Sequence, residues 1–377
     1  MTILTVGQGK EYATIEAAVK ASHTGDTVDV SAGTYKNDFL TIDHSLTIEA
    51  VGGTVNLVAT KAAPNGLALV DVGGASTVTT IRGFDISGAQ GNSGTVAAIR
   101  YEGGQFTLDQ SIVHGNQQGF YGVADKNGIV TIENSTFSGN GNGGTNTSNV
   151  YSGNVSQIII ENSTLTAANG GSNIVSRAAM TEVEQSIVTD GPTGTARYQI
   201  DLPNGGNATI SGDIIEKGPH GVGTSAISFG EAGSVYGSSS LGVQNSTIVN
   251  DAATKGSVAI VNASTVRASI DQDKFHGWAT RSSGPAFSFL NSTTKTEPAL
   301  TSTSAGDQYH AHQSGTATTS NANSLFTTVV TPELAGLSSQ ATPTQHAAST
   351  TLVPSGSATS LIASMNQHNA MQLISRG

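Results

Sequence analysis

The chain has 377 residues, a formal net charge of -11, only 11% charged side chains, 46 glycines and no cysteine. The negative balance and the lack of any Lys/Arg run exclude a nucleic-acid binder, because phosphates demand a basic face. Without cysteine there is no disulfide framework, no thiolate chemistry and no cysteine-ligated zinc.

Residues 1–46 read as an N-terminal cap with the first strands. Met1-Thr2-Ile3-Leu4-Thr5-Val6 has neither the basic stretch nor the apolar run of a secretion leader, and no segment reaches membrane-span length. Thr14 is placed to cap a short helix in which Ile15, Ala18 and Val19 share one face, ending near Ser22. Thr27-Val28-Asp29-Val30 alternates as a strand does, and Ala32-Gly33-Thr34-Tyr35 reads as a turn. A small amphipathic helix here would cover the open core and bare strand edge at the end of a coil.

Residues 47–290 repeat one phrase, in which an apolar residue is followed five positions later by another, with small polar residues between. Ile48, Ile81, Leu108, Ile132, Ile160, Val183, Ile210, Val243 and Ile270 open it; Ile86, Val113, Phe137, Leu165, Val188, Ile215, Ile248 and Phe275 close it from the second copy onward. The openings are 23 to 33 residues apart, a period that signals a solenoid whose repeats cannot bury an apolar face alone. The turn inside the phrase is written Glu133-Asn134-Ser135-Thr136, Glu161-Asn162-Ser163-Thr164 or Gln244-Asn245-Ser246-Thr247. Asn tolerates the left-handed backbone of a tight corner, so these sites read as stacked corner asparagines rather than glycan acceptors.

A second strand follows each turn: Ala98-Ile99-Arg100, Gly119-Phe120-Tyr121, Asn149-Val150-Tyr151, Asn173-Ile174-Val175, Gln199-Ile200-Asp201, Ala226-Ile227-Ser228, Ala259-Ile260-Val261 and Ala286-Phe287-Ser288. The central residue is expected to face inward and its neighbours outward. At least two strands per turn are in register, with room for a third. Residues 291–377 change to a Ser/Thr-rich segment with two apolar islands, a strand at 325–330 and an amphipathic helix within 361–374. This segment reads as a cap, an assembly region or an uncleaved secretion signal of the type I kind.

With the repeats laid out, Tyr12 to Val19, Gly25 to Val30 and Ala32 to Tyr35 resemble the N-terminal cap and first coil of pectin-lyase-like right-handed parallel β-helix proteins, and the resemblance covers residues 5–290. Ile99 to Gly104, Ser176-Arg177-Ala178, Ile200 to Gly206 and Ile215 to Pro219 are similar, more narrowly, to a group of uncharacterised bacterial right-handed β-helix repeat proteins. The resemblance implies an all-β chain, a single-stranded right-handed parallel β-helix. Where that group has His-Glu-Ile-Lys-Ser-Arg, this chain has Ser172-Asn173-Ile174-Val175-Ser176-Arg177. Of a Lys and Arg serving as base and acid in a lyase, it keeps only Arg177.

Coil stacking is expected to bring Arg100, Tyr101, Tyr121, Tyr151, Arg177, Arg197, Tyr198 and Asp201 into one outer stripe. Arg100, Tyr101, Tyr121 and Arg197 are its carbohydrate-binding candidates, the rings stacking on sugars and the guanidiniums meeting acidic groups. Arg177, Tyr151, Tyr198 and Asp201 are the catalytic set if the chain is a lyase or epimerase that abstracts a proton beside a uronate carboxylate. The plainer reading is that stacked tyrosines and an Arg–Asp pair only stabilise the outer ladder. Adjacent-coil carboxylates such as Glu133 with Glu161, beside Asp109, are candidates for a glycosidase pair, weighed against solvated corner residues. Asp271-Gln272-Asp273 with His276 is a candidate Ca2+ site, and His310-Ala311-His312 offers two imidazoles without a third ligand; neither is assigned a metal, and no cofactor is called for.

Two functions fit. The first is a non-catalytic, exported surface or matrix rod that associates with other copies of itself or contacts polysaccharide, placed outside the cell by leaderless export. The alternative is a lyase or epimerase acting on an acidic polysaccharide.

Overall fold

The computed structural model describes residues 1–295 except 234, 253–255 and 291; the strand expected at 325–330, the helix within 361–374, His310 and His312 lie outside the described residues. Each full coil contributes three short strands, for example Gln105–Asp109, Ile112–His114 and Phe120–Gly122, and the next Asp125–Glu133, Thr136–Ser138 and Val150–Ser152. Every strand pairs in parallel with its counterpart one coil away, giving three faces around one core. The first and second faces join into a single sheet of 21 described strands, because Asp26–Lys36 and Leu46–Val58 run on around the corner between them; the third face is a separate sheet of 10. This three-sided coil of parallel strands is the parallel β-helix that the repeats implied.

The repeat phrase spans two faces. Its openings lie on the first, from Ile48 to Ile270, its closings on the second, from Ile86 to Phe275, and all are at most 1% exposed. On the third face Ile99, Phe120, Val150, Ile174, Ile200, Ile227 and Ile260 are fully buried in one register column. Burying such side chains contributes roughly 1.5–3 kcal/mol each, which no isolated coil could collect.

The corner between first and second faces is turned by one residue with positive φ: Gln110, Asn134, Asn162, Gln185, Asn245 and Gln272, at 48° to 58°, with Gly83 and Gly212 in the same place. The left-handed role expected of Asn is thus correct, but the stack is not built from it. The buried stack is the next residue, Ser111, Ser135, Ser163 and Ser186, each bonded to the N–H of its predecessor. Asparagines do stack at the corner before the third face. Asn116 Nδ2 donates to Asn140 (2.9 Å), Asn140 to Asn149 (2.8 Å), Asn149 to Asn173 (2.7 Å), Asn173 to Gln199 (2.6 Å) and Gln199 to Asp190 (2.9 Å), all fully buried.

At the N-terminus, helix α1 (Ile15–Ala21) has Thr14 at its N-cap and buries Ile15, Ala18 and Val19; Asp38 accepts the N–H groups of Ile15 and Glu16. Two expectations are corrected. Ala32 to Tyr35 is no turn: it lies inside the strand Asp26–Lys36, whose register shifts between Ser31 and Gly33 where the strand bends from one face to the next. Ala286–Leu290 is a first-face strand paired with Ala268–Asp271, and the third-face strand of that coil is Thr280–Ser283. The coil also continues past 290, through Thr293–Lys295.

Candidate functional site

The outer column of the third face is Asp71, Arg100, Tyr121, Tyr151, Val175, Asp201, Ser228, Val261 and Ser283, one residue per coil. Parallel strands about 4.8 Å apart hold these side chains in a line along the axis. Four expected stripe residues are on it: Arg100, Tyr121, Tyr151 and Asp201.

Tyr121 and Tyr151 are stacked on each other, ring centroids 5.0 Å apart and planes 12° from parallel. The Arg100 guanidinium lies 5.4 Å from the Tyr121 centroid and is ion-paired with Glu102. One face of each ring is therefore taken up by the other ring, and the second face of Tyr121 by Arg100. Asp71 completes the group, its carboxyl pushed up by burial and by Glu102 while Arg100 opposes the shift.

Two coils beyond Tyr151, a second group forms. The Arg197 guanidinium lies 4.8 Å from the Tyr198 ring centroid, donates to the Tyr198 hydroxyl at 3.1 Å and is 3.5 Å from Glu231. The Tyr198 hydroxyl donates to Glu231 at 2.5 Å; burial, then that bond, pushes it up to about 12. Tyr198 is only 6% exposed, so its ring is a packed wall rather than an open platform. Asp201 is pushed up to about 6 by burial and then by Glu231, with Arg197 pulling the other way, and its buried Oδ1 has no hydrogen-bond partner among the described residues.

Arg177 follows the strand Ser172–Ser176, and its N–H bonds the Ser152 carbonyl one residue past Tyr151. Its Nη1 donates to Asn204 Oδ1 at 2.7 Å, Asn204 donates to Asn154 at 3.0 Å, and the Tyr236 hydroxyl donates to the Arg177 carbonyl. Arg177 is close enough to help lower the Asp201 carboxyl. The catalytic set therefore shares a flank but not a cluster: Tyr198 and Asp201 sit with Arg197, Tyr151 sits with Tyr121, and Arg177 is tied to Asn204.

Tyr101 is a correction. With Ile99 inward and Arg100 outward, alternation turns Tyr101 back into the core, where it is 0% exposed, packs against Phe106 and Phe120 and donates its hydroxyl to the Gly104 carbonyl. It cannot touch carbohydrate. Glu102, Asn204, Glu231 and Tyr236 were missed; each lies in a loop beyond a strand end, where period-two alternation gives no guidance.

Glu133 and Glu161 are register neighbours in a column with Arg82, Asp109 and Glu184 at the edge of the first face. Arg82 pairs with Asp109 at 2.7 Å, and burial followed by Asp109 and Glu161 raises the Glu133 carboxyl. Asp109 is buried, and Glu133, Glu161 and Glu184 are half-buried. Asp271, Asp273 and His276 part company: Asp271 ends a first-face strand, Asp273 is buried in the corner stack, and His276 ends a second-face strand. Among the described residues no group of three or more His, Cys, Asp or Glu side chains could hold a metal ion.

No family model and no curated protein matches the chain. Solved structures similar to it include pectate lyase Pel9A (12% identity over 80% of this chain and 82% of that one, TM-score 0.49). Others are the pectin methylesterase from Aspergillus niger (18%, covering 82% and 95%, TM-score 0.39) and the Azotobacter vinelandii mannuronan C-5 epimerase AlgE6 A-module (14%, covering 75% and 95%, TM-score 0.35). At such values the likeness says nothing of what this chain acts on.

Proposed function

We propose that the chain is a non-catalytic, exported rod of the cell surface or extracellular matrix whose third face contacts polysaccharide lengthwise. The carrying observation is that this face has spent its reactive groups on itself: Arg100 is held by Glu102 and the Tyr121 ring, Arg197 by Tyr198 and Glu231, and Arg177 by Asn204. What remains on the column is the tyrosine pair Tyr121 and Tyr151 with the carboxyls of Asp71 and Asp201, polar groups at coil spacing that could hydrogen-bond a linear polymer laid along the axis. Arg100, Arg177 and Arg197 are matched against Asp71, Glu102, Asp201 and Glu231, a balance that favours neutral over strongly acidic polymers. Helix α1 serves as the cap that closes the N-terminal end of the core, leaving lateral association with further copies to the flanks.

The lyase or epimerase reading draws on one observation, the raised carboxyl of Asp201 beside Glu231 and within the field of Arg177. A base with its proton held near neutrality is a fit start for proton transfer, though Arg177 already gives an Nη1 hydrogen to Asn204.

Affinity electrophoresis in gels cast with neutral and acidic polysaccharides tests the contact. Retardation in a neutral-polymer gel, reduced in Tyr121→Phe/Tyr151→Phe, is expected; unchanged mobility in every gel would remove polysaccharide from the account.

A further inference from the structure

At the corner between the first and second faces each stacked serine makes two bonds. Ser135 accepts the Ser111 N–H at 3.1 Å and donates to the Glu133 carbonyl at 2.7 Å. Ser163 accepts from Ser135 (3.1 Å) and donates to Glu161 (2.8 Å); Ser186 accepts from Ser163 (3.1 Å) and donates to Glu184 (2.9 Å). Ser246 accepts from Asp213 (3.2 Å) and donates to Gln244 (3.0 Å). The same carbonyls also accept an N–H from the preceding coil, Gln110 to Glu133, Asn134 to Glu161, Asn162 to Glu184 and Gly212 to Gln244. Both lone pairs of each oxygen are thereby used.

In two coils the serine is replaced by an aspartate. Asp213 Oδ1 accepts the Ser186 N–H at 2.7 Å, and Asp273 Oδ1 accepts the Ser246 N–H at 2.8 Å, so each reproduces the accepting half of the serine. The donating half is missing. Ser211 O takes the Gln185 N–H at 2.9 Å and Asp271 O the Asn245 N–H at 3.0 Å, while Oδ2 of both aspartates is buried with no hydrogen-bond partner among the described residues. Asp213 is 1% exposed and Asp273 0%. An ionised carboxylate would leave a charged oxygen bare in this slot, whereas a carboxylic acid can both accept and donate, as serine does.

We propose that Asp213 and Asp273 are held as neutral carboxylic acids that stand in for serine, donating Oδ2–H to the Ser211 and Asp271 carbonyls, so that mild acid tightens these two corners and deprotonation loosens them. The electrostatic surroundings act in the same direction. Burial, then Glu184 and Asp273, raises the Asp213 carboxyl well above its ordinary value, and burial with Asp271 raises Asp273 to about 6; the backbone groups of Ser186 and Ser211, and of Ser246 and Asp271, oppose this without cancelling it. Of the lysines on the strands that follow, Lys217 donates its ammonium to the Ala196, Arg197 and Val222 carbonyls at the other corner, and Lys274 opens the strand after Asp273. Because the folded values of both groups lie above the unfolded one, the stabilisation is complete below about pH 4 and is lost as pH rises, through about 6 for Asp273.

Asparagine fixes the protonated arrangement, since its Oδ1 accepts and its Nδ2 donates at any pH. Thermal unfolding of the full chain at about pH 5 and about pH 8 compares the wild type with Asp213→Asn/Asp273→Asn. The wild type is expected to melt several degrees lower at the higher pH, and the double variant to recover most of that loss. Asp213→Ser/Asp273→Ser, which rebuilds the neighbouring corners, is expected to behave alike. If both double variants melt below the wild type at about pH 8, or keep its full pH slope, the proposal is overturned.

Discussion

Tyr121 lies between Arg100, 5.4 Å from its ring centroid, and Tyr151, whose ring is stacked 5.0 Å away, so both of its faces are covered by the neighbouring coils. An aromatic column built this way holds the coils together; it does not wait for a ligand ring.

A double-mutant cycle of Tyr121→Ala and Tyr151→Ala in chemical unfolding should give a coupling of about 0.5–1.5 kcal/mol. Strictly additive losses would mean that the stacking contributes nothing.

The amide stack predicts a larger effect. Asn140 accepts from both the N–H and the side chain of Asn116 while donating to the Val113 carbonyl and to Asn149. Asn140→Leu strands several buried polar groups at about 1–3 kcal/mol each and should cost at least about 3 kcal/mol in denaturant midpoint analysis. A loss below about 1 kcal/mol would show that water fills in for the amide.

Corner residues should discriminate by backbone rather than side chain. Asn162, at φ 48°, is expected to accept glycine within a few tenths of a kcal/mol and to lose about 1–2 kcal/mol on replacement by alanine, compared by unfolding midpoints. Equal effects of the two substitutions would contradict the left-handed corner.

Asp201 carries a pH prediction with a defined sign. Its folded value of about 6 lies above the ordinary carboxylate range, so its ionisation weakens the fold as pH rises from about 4 through about 6. Asp201→Asn should therefore melt higher than the wild type above about pH 6 and lose that advantage in acid, while polysaccharide retardation persists. A variant that melts lower above about pH 6 would show that the charge is needed where it stands.

The sequence revealed the coil and much less of its surface. Buried residues advertise themselves by period: Ile132, Phe137 and Val150 could each be placed inward because their coil neighbours repeat the pattern. The same rule, applied strictly, would have kept Tyr101 off the outer stripe, since it is two positions from Ile99. The division of labour at the corners was half legible: left-handed asparagine follows from its chemistry, whereas the stack fell mostly to serine, whose short hydroxyl both accepts from one coil and donates to its own backbone. Glu231 and Asn204, the partners that tie up Arg197 and Arg177, come from loops 34 and 27 residues further along, and no periodicity links them. Whether an arginine is free or spoken for is a matter of such loops.

The central claim, contact without catalysis, rests on those arginines being occupied. Absorbance of unsaturated uronates, followed while the full chain is incubated with a panel of acidic and neutral polysaccharides that includes any polymer retarding it, tests this most directly. The account predicts no increase over the protein-free control with any polymer; a sustained increase abolished by Arg177→Ala would contradict it and establish the lyase.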